Sequence, residues 1–370
     1  MRQLLAPLLL LAALVVAGCA ATASGGSVDG SPIPSSAASP VASDIVTSSG
    51  LVDIGAGVQG PVGLTATVYA TGLKNVAAFA VDADGRLWAA TAAYDDPGTD
   101  RLVVIDRAGA TPTTVVTGLH TVLGLVWSDG TLYVASAGRV DAYTGLAGAT
   151  FATHHAVLIL PVGVGEVNGL AMSPEGRLVL GVSAPCDACT PTTDRAAAVL
   201  SFEPDGSDVQ VLASGIRAPI GLAYVAATGD LLVTMNQQDQ LGDATPGDWL
   251  AIVTAGQDWG FPACSGQAST ACAGVPTPLA ELDRHAAVSA VAVVDGTLGS
   301  AVGTAAVVAE WSTGKVVRVG LDTTDTPATS TGVSTLLTGV GQPVAVATAP
   351  DGSLLVGDWA SGTIYRIATG

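Results

Sequence analysis

From about residue 64 to the C-terminus, short runs of Val, Leu, Ile and Ala recur, each bounded by Gly, Asp or Pro. Apolar and polar positions alternate in several of them, and no long amphipathic run with a 3.6-residue period interrupts the series. That pattern predicts strands joined by tight turns, hence an all-β chain. The runs also repeat as a unit. Gly72 to Asp84-Gly85, Gly118 to Asp129-Gly130, Gly163 to Glu175-Gly176, Gly215 to Gly229 and Gly339 to Asp351-Gly352 share one layout. A glycine leads into an apolar strand, and a second glycine turn follows before the next strand. A weaker copy runs from Asp283 to Asp295-Gly296. The turn glycines 85, 130, 176, 229, 296 and 352 are therefore 45, 46, 53, 67 and 56 residues apart.

Asp-Gly between two alternating runs is a strong hairpin signal. A third strand follows in most copies, as at 102–105, 199–202, 250–253, 316–319 and 364–367. Units of this size match propeller blades, and six of them predict a six-bladed β-propeller. An early strand at 64–70 would complete the last blade and close the ring. If the first strand of each unit is innermost, the residues leading into it surround one mouth of the central channel. They are Lys74-Asn75, His120-Thr121, Gly165-Glu166, Arg217-Ala218, His285-Ala286 and Gly341-Gln342. Polar side chains converging on one axis form the kind of concave site that ligands use.

The N-terminus reads differently. Arg2 precedes an apolar run from Leu4 to Ala17, too short to span a bilayer, that ends in Val16-Ala17-Gly18-Cys19. This predicts a lipoprotein signal peptide over residues 1–18, lipidation of Cys19, and a location on the extracytoplasmic face of the cell membrane. Residues 19–58, rich in Ser, Ala, Gly and Pro, read as a flexible linker, leaving 59–370 for the propeller. Thirteen Lys+Arg stand against 31 Asp+Glu, a net charge of −18 that argues against nucleic-acid partners. No feature of the sequence calls for an oligomer, so a monomer is expected. Four cysteines remain beyond Cys19. In an oxidising compartment they predict disulfides, and the local pairs Cys186–Cys189 and Cys264–Cys272 are preferred among the three pairings. A four-cysteine zinc site is the rival arrangement.

Several stretches resemble the PQQ-dependent soluble aldose and glucose/sorbosone dehydrogenases, which are six-bladed propellers. They are residues 213–223, Asn236 to Asp248 with Leu241-Gly242-Asp243, Gln257-Asp258-Trp259-Gly260-Phe261-Pro262-Ala263-Cys264, and 349–359 with 363–367. Cys186-Asp187-Ala188-Cys189 followed by Asp194-Arg195 is similar to a further family segment. The resemblance implies PQQ over the channel mouth, Ca²⁺ beside it, a histidine base, and oxidation of a sugar or other alcohol at the cell surface. The family histidine falls at Gly165, which makes Glu166 and His120 the substitute bases. Arg217, Asn236 and Lys315 become the cofactor-binding candidates. Asp239, Asp243 and Asp248 share one polar loop and are the candidate Ca²⁺ ligands, with Asp95, Asp96 and Asp100 as a second acidic cluster. Ala218, Gln238, Trp249 and Gln342 stand where the family pattern carries polar or charged residues. The alternative expectation is a non-catalytic propeller that binds a ligand or a surface protein. His154-His155 are expected on an exposed strand.

Overall fold

A computed structural model describes residues 50–94, 98–266 and 270–370. Six sheets are arranged as blades. Blade 1 runs outward through Val76–Val81, Leu87–Thr91, Asp100–Ile105 and Thr113–Leu119. Blade 2 has Gly124–Ser128, Thr131–Ser136, Arg139–Ala147 and Thr150–Ile159. Blade 3 has Val167–Met172, Leu178–Val182, Ala198–Phe202 and Gln210–Ser214, edged in parallel by Gln257–Asp258. Blade 4 has Pro219–Tyr224, Leu231–Met235, Trp249–Val253 and Ala280–Glu281. Blade 5 has Val288–Asp295, Thr304–Glu310, Lys315–Asp322 and Thr329–Leu337. Blade 6 has Pro343–Thr348, Leu354–Asp358 and Thr363–Thr369, and its fourth strand is the N-terminal Leu64–Ala70. The first strand of each blade contacts the first strand of the next around a closed ring, so the expected innermost position of these strands is borne out.

The six turn glycines of the repeat all have φ between +75° and +90°. An L side chain is strained there, which explains why glycine recurs at each hairpin. In blade 1 the carboxylate of Asp82 locks the turn by accepting the N–H groups of Asp84 and Arg86 at 3.0 and 2.9 Å. The buried side chains gather into six clusters, one at each interface between neighbouring blades. Each blade thus buries both faces on its neighbours, which is how a chain of this length avoids needing one large core.

Both local disulfides, Cys186–Cys189 and Cys264–Cys272, are formed. The linker boundary needs correction. Val52–Gly55 and Val58–Gly60 form an antiparallel hairpin, although residues up to 58 read as tether. Ile54 and Val58 join the cluster between blades 5 and 6, and Gln59 exchanges backbone hydrogen bonds with Thr338 at 2.9 and 3.1 Å. The three apolar residues are too sparse among Gly and Ala to register as strands. The expected signal peptide, Cys19 and the linker before residue 50 lie outside the described residues.

Candidate functional site

The central channel is narrow, about 100 Å³, and lined by residues of the innermost strands such as Phe79, Leu125, Leu170, Leu222 and Val291. Tyr94, carried on the loop after the second strand of blade 1, lines the same space with φ at +65°. Its phenol is pushed well above the usual range, first by burial and then by the nearby charges of Glu166 and Asp100. Glu166 therefore lies at the same mouth, as its ring position requires. Burial raises its carboxyl, and Arg217 opposes the rise. Tyr94 carried no signal in the sequence, since its loop lies outside the repeat.

Gly165 sits in a space that other atoms already fill. A Cβ there would lie 2.1 Å from the carbonyl oxygen of Ala184 and 2.7 Å from its carbon. The glycine N–H donates to Ser183 O at 2.9 Å, and Ser183 N–H returns a bond to Glu166 O at 2.9 Å. Residues 183–184, between the second and third strands of blade 3, thus lie directly against the position where the resemblance placed a base. His120, the other substitute, is not brought to the channel. It lines a separate groove of about 540 Å³ between blades 1 and 2, with Arg139, Asp141, Tyr143 and His154. Glu166 and His120 therefore do not share a site. His154 and His155 are exposed on the outermost strand of blade 2, as expected, and the ring of His154 stacks on Tyr143 at 5.2 Å.

The cationic candidates are already engaged. Arg217 donates from Nη2 to Asp187 Oδ1 at 2.7 Å, from Nε to Asp187 O at 3.2 Å, and from Nη1 to the carbonyls of Asn236 and Gln237 at 3.3 and 3.0 Å. Lys315 pairs with Asp283 at 2.5 Å. Asn236 has its side-chain oxygen buried without a partner, and so does Asn75 on the ring. These orphaned groups are acceptors. Lys74 is exposed and forms no ion pair with another described residue.

The three carboxylates of the acidic loop do not converge. Asp239 Oδ1 bonds to Nδ1 of His285 at 2.8 Å, while Nε2 of that ring meets Gly242 O at 3.1 Å. The Asp239 bond, with the Gly242 carbonyl second, raises the histidine pKa. Asp243 contributes its main-chain oxygen to Arg284 at 2.6 Å. Asp248 is 2% exposed and accepts the N–H of Gln237 at 2.8 Å and of Val288 at 3.4 Å, and burial pushes its pKa up to about 6. Among the described residues no group of three or more His, Cys, Asp or Glu is arranged to hold a metal ion. Asp239, Asp243 and Asp248 are thus placed as hydrogen-bonding residues of the loop. Asp95 and Asp96 lie outside the described residues.

Asp248 belongs to a recurring device that the sequence pattern did not reveal. Asp100 is 1% exposed and accepts the N–H of Thr121 at 2.7 Å, tying blade 1 to the ring position of blade 2. Glu310 is fully buried, bonds to Asp283 N–H at 3.4 Å and Thr313 Oγ1 at 2.7 Å, and is pushed up to about 7 by burial. Asp358 accepts the N–H of Gln342 at 3.0 Å. Buried carboxylates thus hold the loops of the mouth by their main-chain N–H groups, which satisfies donors that would otherwise be costly.

Comparison with known proteins places this geometry. Residues 196–366 match the family model described as Glucose / Sorbosone dehydrogenase. The PQQ-bound aldose sugar dehydrogenase of Streptomyces coelicolor is 18% identical with a TM-score of 0.66, covering 84% of this chain and 99% of that one. The holo PQQ domain of pyranose dehydrogenase from Coprinopsis cinerea is 16% identical with a TM-score of 0.68, covering 84% and 97%. The apo soluble aldose sugar dehydrogenase of Escherichia coli is 16% identical with a TM-score of 0.65, covering 83% and 100%. No curated protein matches the chain. The resemblance read from the sequence is borne out, and the six-bladed fold is that of the soluble sugar dehydrogenases. Arg217, Asn236, Lys315 and the acidic loop fall inside the matched segment, whereas Gly165 and Glu166 lie before it.

Proposed function

We propose that the chain is a ligand-binding propeller of the glucose/sorbosone dehydrogenase type, held at the outer face of the cell membrane through Cys19, that does not oxidise sugars through PQQ. The observation that carries this is Gly165. A base cannot be restored there by exchanging the side chain, because the carbonyl of Ala184 occupies its room. The other residues agree. An anionic quinone needs cations at the mouth, yet Lys315 is engaged by Asp283, and Arg217 is reached only by an anion that first displaces Asp187. Tyr94 takes part of the channel mouth on which a flat cofactor would rest. The residues present do not fit a PQQ–calcium pair, and no catalytic step is assigned to them.

The competing function is PQQ-dependent oxidation of a sugar or other alcohol. The family match and the PQQ in the names of two similar structures favour it. Titrating the untethered chain with PQQ, with and without Ca²⁺, separates the two. No binding and no dye-linked oxidation of aldoses is expected. Calcium-dependent binding at micromolar affinity would overturn the proposal. The anchor is tested by radiolabelled palmitate, expected to label the wild type and not Cys19→Ala.

A further inference from the structure

One anion already sits at the mouth, and the chain supplies it. The carboxylate of Asp187 receives Nη2 of Arg217 at 2.7 Å, the main-chain N–H of Asp239 at 2.9 and 3.1 Å, and that of Gln240 at 2.9 Å. A guanidinium and two adjacent N–H groups converging on one carboxylate make a strong, geometrically selective set of donors. These donors belong to blade 4, 30 to 53 residues along the chain from Asp187. Asp187 itself comes from blade 3, inside the four-residue loop closed by Cys186–Cys189.

The site would survive the loss of its occupant. Nη1 of Arg217 is fixed by the carbonyls of Asn236 and Gln237, and Nε by the main-chain oxygen of residue 187. None of those three acceptors belongs to the Asp187 side chain, so the guanidinium stays aimed when the side chain is removed. The N–H groups of Asp239 and Gln240 are likewise set by their loop, which is closed by the Gly242 N–H to Asp239 O bond at 3.0 Å. Asp187 keeps a third of its side chain in solvent, which leaves an approach for a competitor.

We infer that Arg217 with the N–H groups of Asp239 and Gln240 forms a carboxylate-binding site. The Asp187 side chain fills it in the absence of ligand, and the carboxylate of a small external molecule replaces that side chain. This deepens the ligand-binding function proposed above by naming the chemistry of the ligand. It also accounts for Arg217: the chain has kept the cation and supplied an anion of its own.

The test is chemical rescue. Wild type, Asp187→Ala and Asp187→Ala/Arg217→Gln are unfolded thermally in sodium acetate and in sodium chloride of matched ionic strength. Asp187→Ala is expected to melt below the wild type in chloride. Acetate should restore about 3 °C in a saturable manner, the size expected for a ligand held well above its Kd. The double variant should respond to neither salt preferentially. The wild type, whose own side chain competes, should gain from acetate at higher concentration than Asp187→Ala needs, and a wild type indifferent to acetate would overturn the replacement. Asp187→Asn keeps the side-chain shape but sets an amide donor among donors, and it should gain from acetate too. Should Asp187→Ala not fold, this second variant decides. Indifference of the single variants to acetate, or a response that persists without Arg217, would overturn the site. Acetate reports on the site without PQQ. Calcium-dependent PQQ binding would overturn the function proposed above and leave the rescue result standing, and the converse also holds.

Discussion

A Cβ on Gly165 would approach the Ala184 carbonyl oxygen to 2.1 Å, far inside any tolerated contact. Because Ser183, Ala184 and Glu166 are tied by main-chain hydrogen bonds, the clash cannot be relieved by turning a side chain. Gly165→Ala is therefore expected to cost about 2 kcal/mol or more, and Gly165→His at least as much, within the range for overpacked sites. Urea unfolding measures the loss, and a dye-linked assay on Gly165→His should stay at background. A well-folded Gly165→His would show that the room exists after all. The sequence already told that position 165 holds no base. It did not tell that Ala184 blocks the position, because 165 and 184 meet only once the second strand of blade 3 has folded back. Asp187 was hidden for the same reason: an acidic residue inside a cysteine pair looks like a solvated turn until its partners arrive from blade 4. Tyr94 lies in an irregular loop with no periodicity to place it.

Within an element, the buried carboxylates of the blade ends behave unlike those at the surface. Glu310 ends the second strand of blade 5, and burial holds its pKa up to about 7, against an ordinary value of 4.5. A raised folded-state pKa means that the folded chain keeps the proton longer than the unfolded one. The stabilising contribution is therefore full below about pH 4.5 and is lost as pH rises through 7. The interval from 4.5 to about 7 corresponds to about 3 kcal/mol between those limits. Glu310→Gln keeps an acceptor for Thr313 and removes the titration. Between pH 5 and pH 8 the wild type should thus lose more stability in urea than Glu310→Gln does, the difference approaching that figure. Equal pH profiles would mean that water reaches the carboxylate. Strands and turn glycines were legible here because they repeat. Glu310, Asp100 and Asp358 were not, since the same residue types cover the rest of this acidic surface and only burial distinguishes them.

Over the whole molecule the ring is closed by pairing the two ends of the propeller, and the repeat spacing made that closure foreseeable. Leu64–Ala70 supplies the outer strand of blade 6, so the last blade cannot be completed without residues from the far end of the chain. The hairpin before it, Val52–Gly60, reads as linker up to residue 58 because its apolar residues are too few to form a pattern, yet Ile54 and Val58 are buried beside Leu336 and Leu337. These two layers should separate in a truncation series. A chain beginning at residue 50 keeps everything described and should unfold in one transition. Beginning at residue 61 removes two buried aliphatic side chains, worth ~1.5–3 kcal/mol each, and the two bonds to Thr338. That chain should remain folded with a lower urea midpoint. Beginning at residue 71 deletes the closing strand, baring the edge of Thr363–Thr369 and the apolar interface between blades 5 and 6. An exposed edge of this kind pairs with other chains, so this truncation is expected to be recovered aggregated, or with blade 6 open to proteolysis. A soluble, protease-resistant chain beginning at residue 71 would mean that five complete blades and a three-stranded sixth suffice, and that closure confers something other than stability.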